Sequence, residues 1–301
     1  MRTVQALWRI RAARFALLVL AVIAVLAVFG GALAPHDPLK QYTDEVLEEP
    51  SAAHWLGTDY VGRDVLSRLM AGTRLSVLGA LEAVLIGAVL GVPSGLASAW
   101  LGPRLEWISL RISDTLVILP FTVFAIAVAG TLGNGLQQAM IAIGILMSPI
   151  FYRVTRAAAI GLRRTQYVEA AELMGATEWW TLRKHIWSKV LPNVAVTSAQ
   201  AMGAALLVVA SLAFLGLGIT PPAPTWGGML SADLGYLAQQ PWAPAFPALL
   251  MMATVGSLNL LADSLRDVTG ATTAPRRRPR RATAPQQERQ DREERSDVVA
   301  T

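Results

Sequence analysis

An all-α membrane protein with six transmembrane helices is the fold class this sequence predicts, on three observations. Apolar residues make up 53% of the 301-residue chain and charged residues only 16%, with a positive mean hydropathy. That is too little polar surface for a soluble fold of this length. Six apolar stretches approach the ~20 residues needed to cross a bilayer. Lysines and arginines collect at alternate ends of those stretches, as the positive-inside rule requires.

The stretches fall at 15–34, 75–101, 115–132, 138–152, 194–219 and 245–262. The third, fourth and sixth must borrow flanking residues to reach spanning length. Arg2, Arg9, Arg11 and Arg14 precede the first; Arg104 and Arg111 follow the second. Arg153, Arg156, Arg163, Arg164, Arg183, Lys184 and Lys189 follow the fourth, and the remaining bases run from Arg266 to Arg295. Placing both termini in the cytoplasm puts 22 of the 26 basic residues there. A pI near 10 therefore reflects membrane topology and not nucleic-acid binding. The first stretch, ending Ala32-Leu33-Ala34, also has the outline of a cleavable signal peptide; its uncharged length favours a retained helix.

Residues 35–74 form one long external loop with seven acids against four bases. Gly57 to Asp64 carries the glycine spacing of a phosphate-binding loop but lacks the Lys-Ser/Thr pair, so it is rejected as a nucleotide site. Residues 64–74 read as an amphipathic helix lying along the membrane surface, with Arg63, Arg68 and Arg74 free to reach headgroups. With no cysteine in the chain, disulfides and thiolate metal sites are excluded. His36, His54 and His185 lie far apart and read as isolated loop histidines, so no metal site and no cofactor are expected.

The second span carries Gly79, Ala83, Gly87, Gly91, Gly95 and Ala99, each four residues apart. Such a small-residue face lets another backbone approach closely. The neighbour is either a helix of this chain, or one of a partner subunit or a helix that shifts during function. Pro93 on the same helix removes one backbone donor. Glu82 pairs with Arg74 or reaches the external interface, or else meets substrate. In the fifth span, Thr197, Ser198, Gln200 and Ser211 (with Asn193) are the candidate pore-lining groups; helix–helix hydrogen bonding is the other reading. Asp114 and Asp263 read as interface residues with Arg111 and Arg266 at hand. From residue 270 onward the chain is arginine- and proline-rich and reads as a disordered cytoplasmic tail, with anionic lipid as a second reading.

Between the fourth and fifth spans, Glu169-Ala170-Ala171, then Leu173, Gly175 and Ala176, followed by a second helical stretch from Glu178, read as a helix, a tight turn and another helix. This stretch, 159–193, resembles the EAA loop of ABC-importer permeases. His54-Trp55-Leu56-Gly57-Thr58-Asp59, Gly62 to Arg68, Gly72 to Ser76, Gly216 to Ile219, Pro221 to Leu230 and Leu265-Arg266-Asp267 are similar to the dipeptide/oligopeptide/nickel type of such permeases, in the manner of the second permease of the pair. The resemblance covers roughly residues 10–270. Trp187-Ser188 stands where relatives have Leu-Pro, and here Leu191-Pro192 comes four residues later; that proline is expected to end a second coupling helix one turn longer than usual. Trp179, Trp180 and Trp187 add aromatic surface.

The resemblance implies a MetI-like permease bundle: residues 1–34 as N-terminus and first helix, 35–74 as external loop, 75–269 as transmembrane core and 270–301 as tail. It implies a multi-pass subunit of the bacterial inner membrane, working with a second permease, two cytoplasmic ATP-binding subunits and an extracytoplasmic substrate-binding protein, with a peptide as the expected cargo. Glu169, Ala170, Ala171, Leu173, Gly175 and Ala176 would then contact the ATPase. The chain itself is expected to hydrolyse nothing. An ion-coupled carrier, which calls for internal repeats, and a non-transporting scaffold are the rival classes.

Overall fold

The computed structural model describes residues 6–219 and 221–273. Arg2 and the tail beyond residue 273 lie outside them. Among the described residues the chain is helical and contains no strand: α1 (Arg11–Leu33), α2 (Val65–Trp100), α3 (Pro103–Ile118), α4 (Phe121–Leu132), α5 (Leu136–Arg163), α6 (Gln166–Leu173), α7 (Glu178–Thr181), a π-helical turn (Leu182–Ile186), α8 (Trp187–Phe214), α9 (Trp226–Leu234) and α10 (Ala245–Thr273). Five spans are long and apolar enough to cross a membrane, and a sixth is formed if the bent pair α3–α4 counts as one.

α1 buries Ala13, Ala16, Ile23, Ala27 and Gly30 along one side and turns Phe15, Leu18, Val22, Val25 and Phe29 outward. Apolar side chains facing away from the bundle are stable only in lipid, which supplies the apolar surroundings that water would not.

α2 is the axis of the bundle, with α1, α5 and α8 packed on it. Its 36 residues make a rod of about 54 Å, longer than the ~30 Å hydrocarbon core. Residues 64–74 are thus the first turns of this rod and not a separate helix on the membrane surface. Arg63 and Arg68 do not reach for headgroups: both are buried, with Arg63 Nε 2.8 Å and Arg68 Nε 3.4 Å from Asp59 Oδ2. A charge so placed needs a partner, and Asp59 supplies it.

The small-residue face of α2 meets α5 within this chain. A Cβ on Gly91 would land on the Ser148 carbonyl, one on Gly95 would lie 2.7 Å from the Tyr152 carbonyl, and one on Gly87 3.1 Å from that of Gly144. Gly79 faces Met140, and Ala83 is buried. The two backbones touch because these positions carry no bulk.

The third span is not straight. α3 and α4 meet at a 94° bend. Pro120 cannot donate a hydrogen bond, and it holds Leu119 extended at ψ 123°. Pro192 behaves differently. It sits inside α8, and the second arm of the loop runs on as one apolar path, Glu178–Phe214. The expected stop at Leu191-Pro192 is therefore absent, because packing on both sides holds the helix across one missing donor; Val190 and Val196 flanking it are buried.

Candidate functional site

Two constructions stand at opposite ends of α2, a folded cap at its N-terminal end and a helical hairpin beside its C-terminal end.

The cap starts from Asp64, whose Oδ2 accepts from the Ser67 backbone N–H at 2.7 Å and caps α2. Asp64 Oδ1 lies 2.8 Å from His54 Nδ1, and His54 Nε2 lies 2.8 Å from Glu45 Oε2. Burial alone would push the His54 pKa down; the hydrogen bonds and charges of Asp64 and Glu45 outweigh it and hold the value above the usual one. His36 comes close too, its ring 4.8 Å from that of His54. The reading of these two as isolated loop histidines is corrected: backbone turns at Gly57 and Gly62, both with positive φ, fold the loop back so that residues distant in sequence meet. His185 is not isolated either; it packs between Tyr167 and Trp180.

The segment after α8 closes the cap. Trp226 is fully buried, its indole N–H donating to the Leu69 carbonyl at 3.2 Å and its backbone N–H to Ser76 Oγ at 3.1 Å. Gln240 donates to the Glu48 and Thr58 carbonyls, and Tyr60 stacks on Tyr236 at 5.2 Å. Beside them a cavity of about 230 Å³ is lined by Asp59, Arg63, Arg68, Pro221, Met229 and Asp233, among others. Asp233 is buried and its Oδ2 has no hydrogen-bond partner. Burial, then the charge of Asp59, push its pKa up to about 6 against the opposing pull of Arg68. This cap, which joins loop, α2 and α9, is what the sequence reading missed; the pairing Asp59/Arg63 at i, i+4 and the spacing Asp64/Ser67 were its available signals.

The hairpin is α6, a turn, and α7 with the π-helical turn. Gly175 has φ +89°, its N–H donates to the Glu172 carbonyl at 3.0 Å, and the Ala176 N–H donates to that of Ala171 at 3.0 Å. These two bonds around a left-handed residue satisfy carbonyls the helix end would leave open. Thr177 then caps α7, accepting from the Trp180 N–H. Val168 and Ala171 face inward, so of the six residues expected to touch an ATPase Ala171 is part of the hairpin's own packing and Ala176 is half-buried. Glu169, Ala170, Leu173 and Gly175 face out. Leu173 and Met174 are 89% and 83% exposed at the tip. Met174 was not among the expected contacts. Trp179, Trp180 and Trp187 are exposed as well, and Trp179 and Trp187 help line an apolar groove of about 900 Å³ against Val92, Pro93, Leu96 and Trp100 of α2.

Arginines tie this end together. Arg163 donates to the Ala99 carbonyl at 2.9 Å near the C-terminus of α2, where carbonyls lack helical donors, and lies over the Trp100 ring. Arg153 pairs with Asp114 at 2.9 Å, replacing the expected partner Arg111, and Arg156 pairs with Glu106.

The candidate pore groups of α8 are dispersed. Thr197 is buried, while Ser198 and Ser211 donate to the carbonyls one turn back, at Val194 and Leu207. Gln200 is half-buried. Glu82 accepts from Gln137 Nε2 at 3.2 Å, so its partner is a neighbouring helix in place of Arg74.

Comparison with known proteins adds the following. Residues 83–272 match the family model described as binding-protein-dependent transport system inner membrane component, and residues 2–50 match that of the N-terminal transmembrane domain of oligopeptide transport permease C. The chain is 37% identical over 250 residues to the probable D,D-dipeptide transport system permease protein DdpC of Escherichia coli (strain K12), covering 83% of this chain and 84% of that one. It is 38% identical to the di/tripeptide transport system permease protein DppC of Pseudomonas aeruginosa, covering 83% and 85%. It is 34% identical to the nickel transport system permease protein NikC of E. coli (strain K12), covering 84% and 92%. A solved structure of the MetNI methionine ABC transporter in an inward-facing conformation aligns with a TM-score of 0.57 at 19% identity, covering 69% of this chain and 97% of that chain; that likeness concerns the fold.

Proposed function

The chain belongs to the family of binding-protein-dependent transport system inner membrane components, and from that premise we propose that it is the ABC-importer permease through which di- or oligopeptides cross the bacterial inner membrane, driven through its hairpin by a cytoplasmic ATPase. Two of the relatives carry peptide transport in their names, which favours a peptide over nickel as cargo.

One observation carries the coupling role. The hairpin ends in an exposed apolar tip, Leu173 and Met174, and its second arm continues as one helical path, through the π-helical turn Leu182–Ile186, along Glu178–Phe214, 37 residues or about 55 Å. A rigid rod moves as a body, so displacement of the tip by a closing ATPase pair is transmitted through the bundle to the far end of α8. There Leu217 and Gly218 lead into the segment that completes the cap. Both termini and the hairpin lie on the cytoplasmic side in this reading, and the cap faces the substrate-binding protein. The binding protein, the second permease and ATP each bias one of two arrangements of the same spans; a ligand shifts such an equilibrium only by its difference in affinity for the two.

The reaction itself takes place on partner subunits. This chain provides half of the path and the lever. In vesicles reconstituted with both permeases and the binding protein, peptide uptake is expected only when the ATPases and ATP are present. Uptake driven by an ion gradient without them points to a secondary carrier, and binding with no uptake under any condition points to a scaffold.

A further inference from the structure

We propose that His36, His54 and Asp64 form a binding site for a divalent first-row transition ion, of the Zn²⁺ class, that fastens the external loop to the first turn of α2. One ligand atom from each of the three lies within 4.8 Å of the others. His36 Nδ1 is 3.8 Å from Asp64 Oδ1, and this nitrogen is shut off from solvent with no hydrogen-bond partner. A buried ring nitrogen without a partner normally costs free energy, and a metal ion would satisfy it. His54 and Asp64 are themselves almost wholly buried, with side chains 3% and 1% exposed.

Two imidazoles and one carboxylate make a three-ligand set suited to Zn²⁺, Co²⁺ or Ni²⁺, with a fourth position open to water. The surroundings fit that role. Glu45 holds His54 Nε2 at 2.8 Å, the carboxylate–histidine arrangement that fixes which nitrogen faces a metal and raises its basicity. Tyr42 packs its ring edge-on against both imidazoles, at 5.2 Å from His54 and 6.1 Å from His36, which orients them. Asp64 keeps its Oδ2 bond to Ser67 N–H and offers Oδ1. Coordination by His54 Nδ1 displaces the proton now shared with Asp64 Oδ1, and that proton leaves to solvent. Closing the distances to metal–ligand lengths draws residue 36 toward residues 54 and 64, so the ion would join the exit of α1, the loop and the start of α2.

The test uses the full-length chain purified in detergent with an affinity tag that carries no histidine. Zn²⁺ titrated calorimetrically is expected to bind with one equivalent and to raise the thermal midpoint, and Co²⁺ is expected to give the visible absorption of a low-coordinate nitrogen–oxygen site. His36→Ala is expected to weaken Zn²⁺ binding at least about tenfold and to abolish the Zn²⁺-dependent rise above its own metal-free midpoint, which the loss of the ring contacts with Tyr42 and His54 lowers slightly. Absence of a saturable equivalent in the wild-type chain overturns the proposal, as does equal Zn²⁺ affinity in His36→Ala.

Discussion

Asp233 keeps an unpartnered carboxylate oxygen inside the cap, and its pKa near 6 makes the cap sensitive to pH. The unfolded value is about 3.9. Between roughly pH 4 and pH 6 the folded state therefore holds more protons than the unfolded state, and stability falls as pH rises across that window. Asp233→Asn is expected to flatten this slope and to raise stability at pH 7 by up to about 3 kcal/mol, read as the thermal midpoint in detergent from pH 4 to pH 8. A second residue-scale prediction concerns close packing. Gly91→Ala drives a methyl into the Ser148 carbonyl and should cost about 1–3 kcal/mol. Gly161→Ala, inside α5 with open space around it, should instead raise stability by about 0.4–1 kcal/mol. The α2 ladder was legible because spacing of four puts glycines on one helix face. The pairings of His54, Asp59 and Asp233 were not, because they depend on where two loops meet, and no local pattern encodes that.

Proline shows why the elements were only partly legible. Pro120 breaks a helix and Pro192 does not, although each lacks the same donor. At Pro120 the flanking segments, 16 and 12 residues long, turn away from each other, whereas at Pro192 the helix continues between buried neighbours on both sides. Sequence gives the lost hydrogen bond; tertiary packing decides its consequence. The turn of the hairpin was legible, because Gly175, four residues past Ala171, is a local signal and its left-handed conformation needs no distant contact; the end of the second arm was not, because packing decides it. Gly175→Asp places a side chain where φ is +89°, at a cost of about 1–2 kcal/mol, and puts a charge on the proposed docking tip. In reconstituted vesicles it is expected to lower ATP-driven uptake at least tenfold while ATP hydrolysis by the partner subunits persists. Glu169→Lys, exposed on the same hairpin, is expected to behave alike. Wild-type uptake in both contradicts the coupling role.

Across the whole molecule, hydropathy and arginine placement carried the architecture: a bilayer allows few ways to satisfy a backbone, and the spans follow from it. They did not reveal that α2 and the Glu178–Phe214 path both exceed the bilayer and so connect a built cap to a built hairpin. Deletion of residues 275–301 is expected to leave uptake nearly unchanged. The central claim is that the hairpin meets an ATPase in the cytoplasm, and the lack of cysteine in the chain allows a direct measurement. Met174→Cys puts a single thiol on the exposed tip. A membrane-impermeant maleimide is expected to label it in inside-out vesicles, to leave it unlabelled in intact spheroplasts, and to be blocked once the ATPase subunits assemble; labelling from outside intact spheroplasts would contradict the account.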